Sequence, residues 1–156
     1  MSDREFQRLD FLKAAGLADA ARTPLAGDAS TRRYERLTMS DGHRLILMDQ
    51  PPAEESAVAP EDADADQRRA LGYNAEARLA GGSVAAFVAI AGWLRERGLS
   101  TPVIGARDTA AGLAVLEDLG DDVFASHDRD LQTIYGAAVD ALAGLHETAP
   151  PRVIEA

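Results

Sequence analysis

Between Thr23 and Pro52 the chain is built from short apolar segments separated by turn signals, and this constrains its fold most. Tyr34, Arg36 and Thr38 alternate with Arg33, Glu35, Leu37 and Met39, the period of two expected of a half-buried strand. Asp41-Gly42 is a strong short hairpin signal. Arg44–Met48 then reads as a further strand, which Pro51-Pro52 stops. With Thr23–Gly27 as the strand before them, three antiparallel strands follow one another as a meander. His43 falls in the second turn and is expected to be a loop residue.

The rest alternates helix and strand. Ser2 and Glu5 have capping-box spacing, and Phe6, Leu9 and Leu12 recur at helical period, so residues 3–15 are expected to form an amphipathic packing helix ended by Gly16. Residues 53–66 gather Glu54, Glu55, Glu61, Asp62, Asp64 and Asp66 with no basic residue, and are expected to form a mobile acidic insertion. Gln67–Leu79 reads as a helix interrupted by Gly81-Gly82. Ser83 is placed to cap a helix reaching about Arg97, with Phe87, Ile90, Ala91 and Leu94 on one face and Trp93 off it. Pro102–Ala106 and Leu113–Asp118 read as strands on either side of a turn at 108–112. A last helix begins at Ser126 or Asp128 and ends near residue 147, with Leu131, Ile134, Ala138, Leu142 and Leu145 inward and His146 on its final turn.

The fold class expected is α+β, with an antiparallel sheet of about five strands plus helices. A length of 156 residues suits one core. A net charge of −10 argues against nonspecific nucleic-acid binding, and no apolar run is long enough for a membrane span. The absence of cysteine excludes a disulfide framework and a thiolate zinc site. No signal core follows Met1, so a cytoplasmic location is expected.

Chemistry concentrates in Leu25-Ala-Gly-Asp-Ala-Ser-Thr-Arg-Arg-Tyr-Glu-Arg-Leu37. Gly27, Ala29 and Ser30 are small enough for backbone N–H groups to approach an anion, and Arg32 and Arg33 bring permanent charge beside them. On local chemistry alone, an ordinary hairpin turn with two solvated arginines accounts for the same residues.

Gly27-Asp-Ala-Ser-x-Arg-Arg-Tyr34, then Leu47-Met-Asp-x-Pro-Pro52, then Leu116-Glu-Asp-Leu-Gly120, in this order, resemble the aminoglycoside phosphotransferase-type kinases. The resemblance is nearest to the sugar kinases that phosphorylate N-acetylmuramate and N-acetylglucosamine at the anomeric position. It covers most of residues 1–149, and the segment 53–82 departs from it.

The resemblance implies a kinase-like N-terminal lobe over 1–119, then an inter-lobe link and first helix of an incomplete C-terminal lobe over 120–156. It implies ATP and magnesium as cofactors and an amino sugar of cell-wall recycling as substrate. Gly27, Asp28, Ala29, Ser30 and Thr31 would form the loop over the phosphates, with Arg32 or Arg33 supplying charge. Met48 or Asp49 stands where such folds carry a lysine on the third strand. Residues 37–156 contain no lysine, and helix 83–97 lacks an obvious glutamate partner. The Glu117 carbonyl and Leu119 N–H would meet adenine, although a buried strand ending in a glycine turn explains that segment equally simply.

The family's base and metal ligands normally follow the helix ending near 147. No catalytic residue and no metal ligand is assigned within this chain, which is therefore expected to be inactive alone. On the kinase reading a missing C-terminal lobe covers helix 128–147; the contrasting expectation is a noncatalytic interaction module that docks a partner on that helix.

Overall fold

The computed structural model describes residues 2–26, 32–51, 62–71, 83–122 and 131–147. Its centre is a five-stranded antiparallel sheet formed by β1 (Ala21–Pro24), β2 (Arg33–Thr38), β3 (Arg44–Asp49), β4 (Ile104–Asp108) and β5 (Leu113–Glu117), in the spatial order β1-β2-β3-β5-β4. The helices are α1 (Asp3–Ala14), α2 (Ala65–Leu71), α3 (Val84–Glu96) and α4 (Leu131–His146). This is the expected α+β arrangement. No helix among the described residues is long and apolar enough to cross a membrane.

The β2–β3 hairpin turns where Asp41-Gly42 predicts. Gly42 has φ +85°, and Asp41 Oδ1 accepts from His43 N at 2.9 Å, while His43 itself is exposed. β1 begins two residues earlier than expected. Pro24 is tolerated there because β1 is an edge strand, where a missing N–H breaks no central ladder. Leu25 N still donates to Tyr34 O at 2.9 Å, so the pairing runs on toward the Gly27–Thr31 stretch. β4 also sits two residues later than expected. A backbone bond from Glu117 N to Val103 O at 2.8 Å closes its start, and its ladder is irregular between Ile104 and Arg107.

Strand alternation gives the sheet two unlike faces. On one face α1 covers Leu37, Leu47, Leu113 and Val115 with Leu12, and all five are buried. On the other, α3 covers Met48, Ala114 and Leu116 with Val84, and Tyr34, Ile46, Phe87, Val88 and Ile104 pack around them.

The α1 stripe differs from expectation. Phe6 is 51% exposed and Leu9 is 37% exposed, and of the predicted three only Leu12 is buried. The side chains turned toward the sheet include Arg4, Arg8, Phe11 and Leu12, so part of this helix face is ionic. Ser2 caps the helix by accepting from Glu5 N at 3.3 Å.

The α2 helix starts at Ala65, earlier than Gln67. Asp64 Oδ1 accepts from Gln67 N, and Gln67 Oε1 accepts from Asp64 N, both at 2.8 Å, which makes a reciprocal cap. Ala63 just before it is buried, so residues 62–66 of the expected mobile insertion are folded, while 53–61 lie outside the described residues. In α3, Ser83 Oγ accepts from Ala86 N at 3.1 Å, and the buried side is Val84 and Ala91 with Phe87 and Val88 between them. Trp93, off that side, lies under the Arg97 guanidinium at 3.9 Å. In α4 no residue is buried, and Leu131 and Leu142, expected inward, are exposed.

Candidate functional site

The stem of the β1–β2 hairpin positions the candidate phosphate loop. Gly27, Asp28, Ala29, Ser30 and Thr31 lie outside the described residues, and the first described side chain after them is Arg32. Arg32 Nε donates to Gln50 Oε1 at 3.0 Å, and its guanidinium carbon lies 5.8 Å from the centre of the Phe87 ring on α3. Arg33 opens β2 opposite Asp49, is exposed, and belongs to the face that α1 covers. The two arginines therefore diverge, as successive residues of a strand must.

The same alternation sends the two residues at the position expected to hold a lysine to opposite faces. Met48 lies fully buried on the α3 face, while Asp49 points to the α1 face. Asp49 Oδ1 accepts from Arg4 Nε at 3.0 Å and from Arg4 Nη2 at 2.5 Å. Of the two, Met48 occupies the side of the sheet that meets α3, and Asp49 is engaged in holding α1.

That engagement belongs to a larger ionic network. Arg22 Nε donates to Glu35 Oε2 at 2.6 Å and Arg22 Nη1 donates to Glu5 Oε1 at 2.7 Å. Arg8 donates to Glu35 Oε1 at 2.8 Å and also bonds Glu5. The Arg22 guanidinium, with Arg8, holds the Glu5 carboxyl below its ordinary value despite partial desolvation. Glu35 and then Glu5 hold Arg22 firmly protonated. Each charge is hydrogen-bonded to an opposite one, the condition for tolerating charge on a half-buried face. Glu5 was legible as a capping residue, but its carboxylate reaches β1 instead.

The two residues predicted to meet adenine lie at and just beyond the end of β5. Glu117 is exposed, and its Oε2 accepts from Val103 N at 2.9 Å while its own N–H is taken by Val103 O. Its side chain thus ties down the start of β4. Leu119 is 63% exposed. Asp118, between them, was not singled out. Its carboxylate accepts from Arg36 Nε at 2.7 Å and from Gly120 N at 2.9 Å, with Arg44 Nε 3.5 Å away. Burial alone would raise Asp118, but the Gly120 N–H and Arg36 outweigh it and bring its carboxyl below the ordinary value. Arg36 Nη2 also donates to Asp121 at 2.7 Å. The Asp-x-Gly spacing of 118–120 signals such a turn, with Gly120 at φ +82°. Its long-range arginine partner leaves no local signal.

An open cavity of about 680 Å³ lies beyond the C-terminal end of α1, lined by Leu17, His43, Leu45, Ala106, Val115 and Glu117 among others. Among the described residues, no group of three His, Asp or Glu side chains is placed to hold a metal ion.

Two comparisons bear on this arrangement. A sequence model described as the phosphotransferase enzyme family matches residues 21–155. A protein of Caulobacter vibrioides named N-acetylmuramate/N-acetylglucosamine kinase is 52% identical over 156 residues, which covers 98% of this chain and 43% of the relative. The chain thus spans less than half the length of that relative.

Proposed function

The chain belongs to the phosphotransferase enzyme family, and on that premise we propose that it is the nucleotide-binding portion of an ATP-dependent kinase acting on a small hydroxyl substrate, an amino sugar. The observation that carries this reading is the 52% identity, along nearly the whole chain, to a kinase named for N-acetylmuramate and N-acetylglucosamine. In the reaction proposed, the sugar hydroxyl attacks the γ-phosphorus, its proton passes to a base, and ADP leaves. Positioning and charge cancellation supply most of the acceleration in such transfers.

In this reading the backbone of Gly27, Asp28, Ala29, Ser30 and Thr31 covers the phosphates, and the arginine pair Arg32 and Arg33 supplies charge. Met48 gives the nucleotide side of the sheet an apolar floor. The Glu117 carbonyl and the Leu119 N–H meet the edge of adenine. The Glu117 N–H is already bonded to Val103, which suits a residue whose carbonyl is the group turned outward. The base and the magnesium ligands are assigned to none of these 156 residues. The reading places them in the part of a complete kinase that the chain does not cover, and places the enzyme in the cytoplasm.

The test is phosphorylation of N-acetylmuramate and N-acetylglucosamine by the protein at its natural length, with the product followed by phosphorus NMR. An ATP-dependent sugar phosphate supports the reading, and its absence with both sugars refutes the substrate class.

One observation favours a second reading, a noncatalytic module that docks a partner on α4. Leu131, Tyr135, Val139 and Leu142 are between 47% and 62% exposed at helical spacing, and contiguous exposed apolar surface marks interfaces. The same assay separates the two.

A further inference from the structure

Kinase folds bring a strand lysine and a helix glutamate together to hold the nucleotide phosphates. Among the described residues neither stands where β3 meets α3. Met48 is fully buried against Val84, with Phe87 packed beside them, so apolar groups fill the space of the ion pair. The single lysine of the chain, Lys13, lies in the last turn of α1, the helix on the opposite face of the sheet. A nucleoside triphosphate bound on the α3 face still needs a cation, which must be an arginine or a metal.

Arg32 is held on that same face. The β2–β3 register ends with Arg33 opposite Asp49, so its next step sets Arg32 beside Gln50, on the face shared by Tyr34 and Met48. Gln50 is only 4% exposed, and its N–H donates to Gly112 O at 2.9 Å, which fixes its backbone to the β4–β5 turn. From that anchored residue, Oε1 accepts from Arg32 Nε at 3.0 Å. The guanidinium stands 5.8 Å from the Phe87 ring, over the apolar plug that replaces the ion pair, within reach of a cation–π attraction. The Gln50 amide is neutral, so this one contact orients the arginine without itself cancelling charge.

We propose that Arg32 is the cation that binds the phosphates of the nucleotide in place of the lysine–glutamate pair, with Gln50 and Phe87 as its positioning residues. This rests on the nucleotide-binding reading and specifies how the site works. Planar guanidinium suits phosphate because its donors form a fork that matches two oxygens. Arg33, on the face covered by α1, has the lesser part.

The experiment is a set of titrations with ATP and with adenosine on the protein at its natural length. Arg32→Ala should raise the ATP dissociation constant roughly ten- to hundred-fold, the range for losing a charge-assisted hydrogen bond, and leave adenosine within about twofold. Arg32→Gln keeps much of the stem over Phe87 and removes the charge, so it should match Arg32→Ala and serves if that variant folds poorly. Gln50→Met removes the acceptor and should weaken ATP about three- to tenfold, with no further loss when Arg32 is already alanine, since coupled residues are not additive. Arg107→Ala, exposed on β4, is the control for a general loss of positive charge.

Arg32 variants that leave ATP within twofold, or that weaken adenosine as much as ATP, overturn the assignment. So does a larger ATP loss from Arg33→Ala than from Arg32→Ala. Equal losses from Gln50→Met in both backgrounds overturn the positioning role. A natural protein that binds neither ATP nor adenosine refutes the nucleotide reading itself, an outcome distinct from all of these.

Discussion

Met48 shows how one side chain decides what the site is able to be. It is fully buried against Val84, in a cluster that includes Phe87, with apolar groups where a lysine would need a carboxylate. Met48→Ala should lower stability by about 2–5 kcal/mol in denaturant melts, the range for emptying a core position. Met48→Lys should cost at least as much, because an ammonium there is desolvated without a partner, and it should not tighten ATP. A Met48→Lys protein that is stable and binds ATP more tightly would show that the site accepts the usual kinase arrangement. Glu5 and Asp118 are expected to contribute to the response to acid. Arg22 and Arg8 hold Glu5 low, and Gly120 N–H and Arg36 overcome burial to hold Asp118 low. A carboxylate that binds its proton less tightly when folded than when unfolded stabilises the fold above its unfolded value. That contribution disappears as the pH falls through the lowered folded value. Thermal stability is therefore expected to hold between pH 7 and 5 and to fall below about pH 4.5, the ordinary carboxylate range. The double variant Glu5→Gln/Asp118→Asn should melt lower at pH 7 and show a shallower acid limb. An acid limb as steep as the wild type's would place the titrating groups elsewhere.

Among the elements, the α3 helix depends on its first residue as much as on its packing. Ser83 Oγ satisfies the Ala86 N–H at the helix start, and Ser83→Ala should cost about 1 kcal/mol, measured as a lowered denaturation midpoint with an unchanged slope. A neutral substitution would mean that solvent caps this end as well as the hydroxyl does. Ser83 was legible because capping is local, as were the Asp41-Gly42 turn, the order of the five strands along the chain and the cap of α1. The reciprocal Asp64–Gln67 cap was equally local but hidden by the acidic run around it, which reads as solvated when only its charge is weighed. The boundaries of β1 and β4 were not legible, since edge-strand ends are fixed by pairing partners far along the chain, Thr38 for Ala21 and Glu117 for Val103. The ionic face of α1 escaped for the same reason. Phe6-x-x-Leu9-x-x-Leu12 has the apolar period, yet Glu35 and Asp49 on the sheet attract Arg8 and Arg4 and turn the helix accordingly. The candidate site divides along the same line. Residue types picked out Arg32 and Met48, whereas Gln50 and Phe87 matter only through contacts across the hairpin and to α3.

At the scale of the whole molecule, the described residues build, on the function proposed, one side of a nucleotide site. The sheet and α3 bring Arg32 and Gln50 together, but no set of three His, Asp or Glu side chains among the described residues converges to hold a metal. The α4 helix buries none of its residues. Phosphoryl transfer from ATP needs charge neutralised on the transferred group and a residue that orients the attacking hydroxyl. The loss of a single transition-state cation in such sites costs about 10³–10⁵ in rate. Without a metal and a base together, an arginine that binds phosphates serves affinity far more than turnover. The 156-residue chain is therefore expected to show no sugar phosphorylation and no ATP hydrolysis above background in a coupled assay with magnesium and either N-acetylmuramate or N-acetylglucosamine. The comparison that gives this meaning is the protein at its natural length, or a chain extended to the length of the Caulobacter relative, under the same conditions. Activity confined to the longer protein is the expected result. Turnover by the 156 residues that survives stringent purification, and that Arg32→Ala diminishes, would mean that a base and metal ligands lie within this sequence, with residues 27–31, 52–61, 72–82, 123–130 and 148–156 the places to seek them.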